Sequence, residues 1–252
     1  MTEVLVGCCG FPVSRRRYMQ EFRVVEVQKT FYKPPRRETL ERWRREAPGD
    51  FEFTVKAWQA VTHPPTSPTW RKAGIKPQGD PKNYGYLKPT RENLEAWRKT
   101  IEAARILEAR VIVLQTPASF KCTEENAENA IRFFKLIERN GFTVAWEPRG
   151  CWHGEKELLR RVLEEGDVIH VTDILRRRPV MVRDTAYTRL HGLGGREVNY
   201  RYKYTDEDLR RLLGEVKWLE EQGARRIYVM FNNVYMYSDA KRFLEMLREE
   251  WG

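Results

Sequence analysis

Phe142-Thr-Val-Ala-Trp-Glu147 alternates apolar and polar side chains, and the segments on either side of it decide the fold. Before it stands an amphipathic stretch, Thr123–Arg139, closed by Asn140-Gly141; after it come a second such stretch, Glu155–Glu165, and the β-branched run Val168–Asp173. Short strand-like runs separated by helix-length amphipathic segments are the pattern of βα units, because parallel strands need a long crossover between them. Working outward, the same reading predicts strands at Val4–Gly7, Val24–Gln28, Phe51–Ala57, Val111–Gln115, Tyr187–His191 and Ile227–Asn232. Further helical patterns cover Arg36–Glu46, Thr90–Ala109, Thr205–Gln222 and Ser238–Glu249. Thr205-Asp-Glu-Asp208 places a hydroxyl at an N-cap with acids in the first turn, and Gln222-Gly223 supplies a left-handed stop.

Eight βα units in 252 residues predict an α/β chain folded as a single (β/α)8 TIM barrel over residues 1–252. An open doubly wound sheet is the alternative. Against it, Gly7-Cys-Cys-Gly10 after the first strand lacks the spaced glycines of a dinucleotide fingerprint. Two connections break the rhythm. Ala57 to Thr90 forms a long insertion after the third strand, rich in Pro, Lys and aromatics, and Gly192-Leu-Gly-Gly-Arg196 leads into Tyr200-Arg-Tyr-Lys-Tyr204.

With 46 Lys+Arg against 36 Asp+Glu the formal charge is +10, which attracts anions, so phosphates or nucleic acid are expected partners. A composition of 41% hydrophobic residues excludes disorder as the main state. No stretch approaches the roughly 18 apolar residues of a membrane span, and the amino terminus lacks a leader pattern, so a cytoplasmic protein is expected. The 33% content of charged residues, with Arg and Glu interleaved, points to a heat-adapted host.

In a barrel strand the side chains facing the helices must be apolar, and that assignment fixes which ones face inward. Inward positions become Glu26 and Gln28; Glu52, Thr54 and Lys56; Thr143, Ala145 and Glu147; and Arg189 and His191. Buried charges need partners, and barrel active sites form at strand C-termini. Glu26, Lys56, Glu147, Arg189 and His191 are therefore expected to gather as a functional cluster, with internal salt bridging as the competing reading.

Val24-Val-Glu-Val-Gln-Lys-Thr-Phe-Tyr32, Trp43, Phe51–Ala57 with Thr62-His63, Gln115-Thr-Pro-Ala-Ser-Phe-Lys121, Trp146-Glu-Pro-Arg149, Arg189-Leu-His-Gly192 and Phe231-Asn-Asn233 together resemble the YecE-like family, in an archaeal-type variant. That resemblance implies a TIM-barrel domain of unknown function, with a barrel similar to the divalent-metal barrels of apurinic endonucleases and sugar isomerases. The family's opening Gly-Thr-Ser-Gly-Trp is here Gly7-Cys-Cys-Gly-Phe11, so no role of that Ser or Trp carries over.

Three constellations can carry chemistry. Glu26, His63, Glu147, Asp173 and His191 are candidate acid–base groups or ligands for a divalent metal, although four histidines are few for a multinuclear centre. Lys56, Arg149, Arg189, Arg196, Asn232 and Asn233 suit a phosphate or carboxylate. Trp70, Lys72, Tyr84, Tyr86 and Lys88, with residues 200–204, interleave rings and cations as a nucleic-acid surface does, unless the rings clamp their own loops.

The cysteines, Cys8, Cys9, Cys122 and Cys151, all follow strands and form no C-x-x-C pair, so reduced thiols are the default. A bridge from Cys8 or Cys9 to Cys122 or Cys151 is not expected, and a vicinal Cys8–Cys9 bond is the alternative.

The reading that results is an enzyme, with hydrolysis as the expected reaction, acting on a phosphorylated or otherwise anionic substrate. Glu147 is the general base or metal ligand, His191 the general acid, and Lys56 and Arg189 the charge stabilisers. Glu26, Gln28, His63, Gln115, Arg149, Arg196, Asn232 and Asn233 are the binding residues. The alternatives are a non-catalytic nucleic-acid binder using the basic aromatic loops, and a metal-dependent endonuclease-like or sugar-isomerase-like barrel.

Overall fold

The computed structural model describes residues 2–195 and 197–251; Arg196, a candidate binding residue, lies outside them. Eight parallel strands close into a barrel in chain order: β1 (Glu3–Cys9), β2 (Val24–Val27), β3 (Glu52–Lys56), β4 (Val111–Gln115), β5 (Thr143–Glu147), β6 (Ile169–Thr172), β7 (Thr185–Leu190) and β8 (Arg226–Phe231). Between them lie α1 (Arg15–Glu21), α2 (Lys29–Tyr32), α3 (Arg37–Glu46), α4 (Pro68–Ala73), α5 (Arg91–Ile106), α6 (Glu124–Leu136), α7 (Lys156–Glu165) and α8 (Asp206–Glu221), and α9 (Met236–Trp251) follows β8. The long helices start where the sequence signals them. Thr90, Thr123 and Thr205 accept hydrogen bonds from Asn93, Asn126 and Asp208 N–H, and Thr205 with Asp208 forms a capping box.

One expected βα unit is missing its helix. β6 runs to β7 through an irregular connection in which Arg176 and Arg177 N–H both return to Asp173 O. Pro179 follows within three residues and cannot continue a helix from that turn. A small pocket of about 10 Å³ lies under this connection, lined by Ile169, Ile174, Met181 and Leu219 among others. The segment after β3 carries α4 and short 3-10 turns at Gln59–Val61 and Pro81–Asn83.

The chain groups into two compact units. The first holds the chain up to Glu26, Ala47–Glu52 and everything from Ile169 onward; the second holds Val27–Glu46 and Phe53–Val168.

In the first unit, the buried Tyr18 hydroxyl accepts Cys8 N–H at 2.7 Å and donates to Val24 O at 2.8 Å, fastening β1 to β2. Tyr187 and Tyr228, opposite one another across β7 and β8, stack at 5.2 Å. Above them the Tyr187 hydroxyl donates to Glu26 Oε2 at 2.9 Å, and Arg189 Nη2 meets Glu26 Oε1 at 2.9 Å. Both members of that ion pair are 0% exposed. Below them Tyr228 OH donates to Glu52, which also pairs with Arg226.

The second unit is centred on aromatic rings. Trp146 and Trp152 sit 5.0 Å apart, with Phe120 and Phe134 against them. The indole N–H of Trp146 donates to Thr116 Oγ1, so its polar atom is satisfied on the apolar side of β5.

The Glu26–Arg189 pair yields a stability prediction. Removing one partner of a buried ion pair leaves a charge in a dry site, so Glu26→Ala is expected to lose about 3–5 kcal/mol in urea unfolding. Glu26→Ala with Arg189→Met should recover most of that loss; additive losses would show that the two side chains act independently.

Candidate functional site

The strand C-termini of the second unit carry one cluster. β3 ends at Lys56, whose carbonyl is held by the Thr30 hydroxyl at 2.7 Å. Its ammonium lies 4.1 Å from the centroid of the Phe31 ring and donates to Gln115 Oε1 at 2.8 Å. In the β4–β5 register Gln115 stands opposite Glu147, and Glu147 pairs with Arg149 at 2.6 Å. Lys56 and Arg149 are each 7% exposed and Glu147 is 3% exposed. These groups are nearly dry rather than solvated, which raises the strength of every charge interaction among them.

His63 closes this cluster on the side of the long connection. Its ring packs edge-on to Phe31 at 5.1 Å, and its Nδ1 lies 2.8 Å from the Thr62 hydroxyl. Trp70 Nε1 donates to His63 O at 3.0 Å. Gly85, at φ +77, passes so close that a Cβ there would sit 2.5 Å from the His63 carbonyl carbon, so only glycine fits. Tyr86 and Leu87 follow in the left-handed region, held by N–H bonds to Thr62 O and Val61 O. Bulky residues there store strain that the surrounding contacts must offset. Burial, and secondly the Lys56 charge, push the His63 ring down to a pKa of about 3.

The first unit carries a second cluster. His191 N–H donates to Asp173 Oδ2 at 2.8 Å, and Asn232 Nδ2 lies 3.0 Å from His191 Nδ1. With the amide as donor, that contact leaves the ring proton on Nε2. Tyr200, 46% exposed, meets the ring edge-on at 6.0 Å. Arg176 pairs with Asp173 at 3.6 Å and donates to the carbonyls of Gly192 and Gly194, while Gly192 N–H is taken by the Tyr204 hydroxyl. The loop after β7 thus directs much of its backbone polarity inward.

The candidate residues fall in both units. Lys56, His63, Gln115, Glu147 and Arg149 share the second unit's cluster. Gln28, also in that unit, stands at the N-cap of α2. In the first unit, Glu26 and Arg189 form the fully buried pair, and His191 with Asn232 stands at the ends of β7 and β8. Asn233 is a clamp: its amide donates to Tyr202 O and to Asp239 Oδ2, each at 2.8 Å. Burial raises the pKa of Asp239, and Asn233 opposes that rise.

Most rings of the basic aromatic loops are spent internally. Trp70, Tyr84 and Tyr204 are buried, and Tyr86 stacks on Phe120 at 5.6 Å. Among the described residues no group of three or more His, Cys, Asp or Glu is placed to hold a metal ion.

The cysteines depart from the expectation of thiols throughout. Cys122 and Cys151 are joined in a disulfide, while Cys8 and Cys9 remain buried thiols. The physical reason is adjacency. The two bonded residues follow β4 and β5, which pair directly, so their connections leave the sheet side by side. Both residues also follow their strands in sequence, the signal that pairs them once strand order is known.

Residues 14–252 match the model of a family described as protein of unknown function DUF72. The chain belongs to this family, the one named YecE-like above. Its fold matches a DUF72 protein from Enterococcus faecalis (TM-score 0.69, 18% identity, covering 98% of this chain and 94% of that one). A DUF72 protein from Thermotoga maritima gives 0.68 and 25% identity, over 97% and 99% of the two chains. Endonuclease IV from Thermus thermophilus is similar at 0.55 and 12% identity, over 97% and 99%, a likeness of fold alone. No curated protein matches the chain in sequence. Among the described residues no helix is long and apolar enough to cross a membrane.

The His63 geometry gives a titration prediction. The unfolded chain, with a histidine pKa near 6.5, takes up its proton before the folded ring at about 3. Stability from the neutral ring is therefore complete above about 6.5 and is lost as the pH falls toward 3. The His63 proton resonances should stay flat from pH 8 to about 4, and Lys56→Met should raise the midpoint. A midpoint near 6.5 in the unaltered protein would show the ring to be open to water.

Proposed function

We propose that this DUF72 protein is an enzyme acting on a phosphorylated or otherwise anionic substrate, with hydrolysis as the reaction class. The observation that carries this reading is the placement of Lys56 and Arg149, two nearly buried cations at the C-terminal ends of β3 and β5, steadied by Gln115 and Glu147. A guanidinium binds a planar oxyanion through paired N–H donors and an ammonium acts as a point charge, so together they suit a phosphoryl group. Glu147 is the candidate general base, since an incoming anion competes with it for Arg149 and frees the carboxylate for proton transfer. In the first unit, His191 is held by Asn232, whose amide donates to the ring nitrogen Nδ1. Glu26 and Arg189, with no exposed surface, act in this reading by holding the strand ends.

The endonuclease-like and sugar-isomerase-like alternatives share the barrel. Their metal chemistry has no donor set among the described residues. A nucleic-acid surface is disfavoured by the burial of Trp70, Tyr84 and Tyr204. Cytoplasmic residence in a heat-adapted host remains part of the proposal. The heat-adapted host is supported by helical ion pairs such as Arg37–Glu41, Arg91–Glu95 and Arg160–Glu164.

Calorimetric titration with inorganic phosphate tests the reading. Lys56→Met and Arg149→Met are each expected to weaken binding about tenfold or more. Glu147→Gln should keep binding and abolish turnover across a panel of phosphate monoesters. Phosphate binding unaffected by either cation, or binding of single-stranded DNA that survives Glu147→Gln and falls steeply with salt, would favour the binder instead.

A further inference from the structure

The Cys122–Cys151 disulfide joins the connections after β4 and β5, with Cα atoms 5.9 Å apart. These connections are also packed together without it. Trp152 stacks on Phe120 at 5.3 Å and donates Nε1 to Phe120 O at 2.8 Å. The bond itself lies at the water-facing edge, with Cys151 exposed and Cys122 half-buried. Cys122 N–H donates to Cys151 Sγ at 2.9 Å, a contact that would stabilise a thiolate on that sulfur. Cys122 also directly precedes Thr123, the N-cap of α6, where the helix dipole favours negative charge. Arg149 stands two residues before Cys151, with Gly150 at φ +69 between them. A Cβ at Gly150 would lie 3.0 Å from Ala118 O, so this turn, which opens the 3-10 segment Gly150–His153, needs glycine.

We propose that Cys122–Cys151 is a dithiol–disulfide exchange site for an external dithiol, and that its redox state sets the hold of Arg149 on Glu147. The coupling to Arg149 rests on the anion-site reading above; the exchange site does not. In the first step a thiolate of the dithiol bonds to Cys122 Sγ as the Cys122–Cys151 bond breaks. The electron pair leaves on Cys151 Sγ, where Cys122 N–H already donates. The second thiol, losing its proton, then attacks the reductant's own sulfur in the mixed disulfide and expels Cys122 as a thiolate. Two electrons and two protons pass to the protein, and the dithiol becomes a disulfide. Trp152 keeps the connection docked, so the released motion is confined to residues 149–151.

The test compares the oxidised protein, the protein treated with dithiothreitol, and Cys122→Ser/Cys151→Ser. Alkylation by iodoacetamide in the folded, reduced protein should mark Cys122 and Cys151. It should spare Cys8 and Cys9, which are buried, burial having pushed the Cys8 thiol up to about 12. Amide exchange at residues 149–151 should quicken about tenfold on reduction and in the double variant, and should return on reoxidation only in the unaltered chain. The dissociation constant for inorganic phosphate should rise about fivefold on reduction. A disulfide that resists dithiothreitol in the folded protein, or unchanged exchange, overturns the proposal. Equal phosphate affinity in both forms overturns the coupling to Arg149. Quickened exchange with no phosphate binding in either form supports the exchange site and overturns the anion-site reading.

Discussion

Each strand of a parallel barrel has one face that must be dry against helices, and the polar residues of this chain are therefore pushed to the other. That constraint governs the molecule. Apolar residues such as Val25, Phe53, Val55, Val144 and Trp146 take the helix side and are 0–1% exposed. Glu26, Lys56, Glu147 and Arg189 take the opposite side, where a lone charge is costly and each must find an oppositely charged or hydrogen-bonding group.

The two units meet that requirement differently. In the first, Glu26 and Arg189 satisfy one another with help from the Tyr187 hydroxyl, out of reach of water. This is an architectural solution, continued downward by the stacked Tyr187 and Tyr228 rings to Glu52 and Arg226. In the second, Lys56 rests on an amide oxygen and an aromatic ring, and the carboxylate of Glu147 is bound to Arg149. Lys56, Glu147 and Arg149 carry their charges in a nearly dry site, where each interaction among them is strengthened. The depressed pKa of His63 is a consequence of burial and, secondly, of the Lys56 charge.

Departures from regular barrel architecture occur in the connections. The β6–β7 connection dispenses with its helix, and Arg176 uses its guanidinium to bind the carbonyls of the neighbouring loop. The β3–α5 connection wraps the His63 backbone through Gly85 and accepts two left-handed bulky residues to do so. The β4 and β5 connections are cross-linked. Pro179 accounts locally for the first of these; the other two depend on contacts between separate segments, which local sequence preferences do not reveal.

The sequence by itself determined the eight strands, the helix starts at Thr90, Thr123 and Thr205, the parity that points Glu26, Lys56, Glu147 and Arg189 to one face, and the family. The strands, helix starts and parity follow from local periodicity and capping chemistry, which act within a few residues; the family follows from the resemblance of its motifs. Only the tertiary structure decided which inward charges pair. Arg189 is consumed by Glu26, 163 positions away, whereas Glu147 takes Arg149 from its own connection. It also decided that Asn233 is a clamp for Asp239, that Trp70, Tyr84 and Tyr204 fasten their own loops, and that Cys122 finds Cys151. In each case the outcome was set by strand order and distance across space, quantities that a pattern of residue types along the chain does not contain.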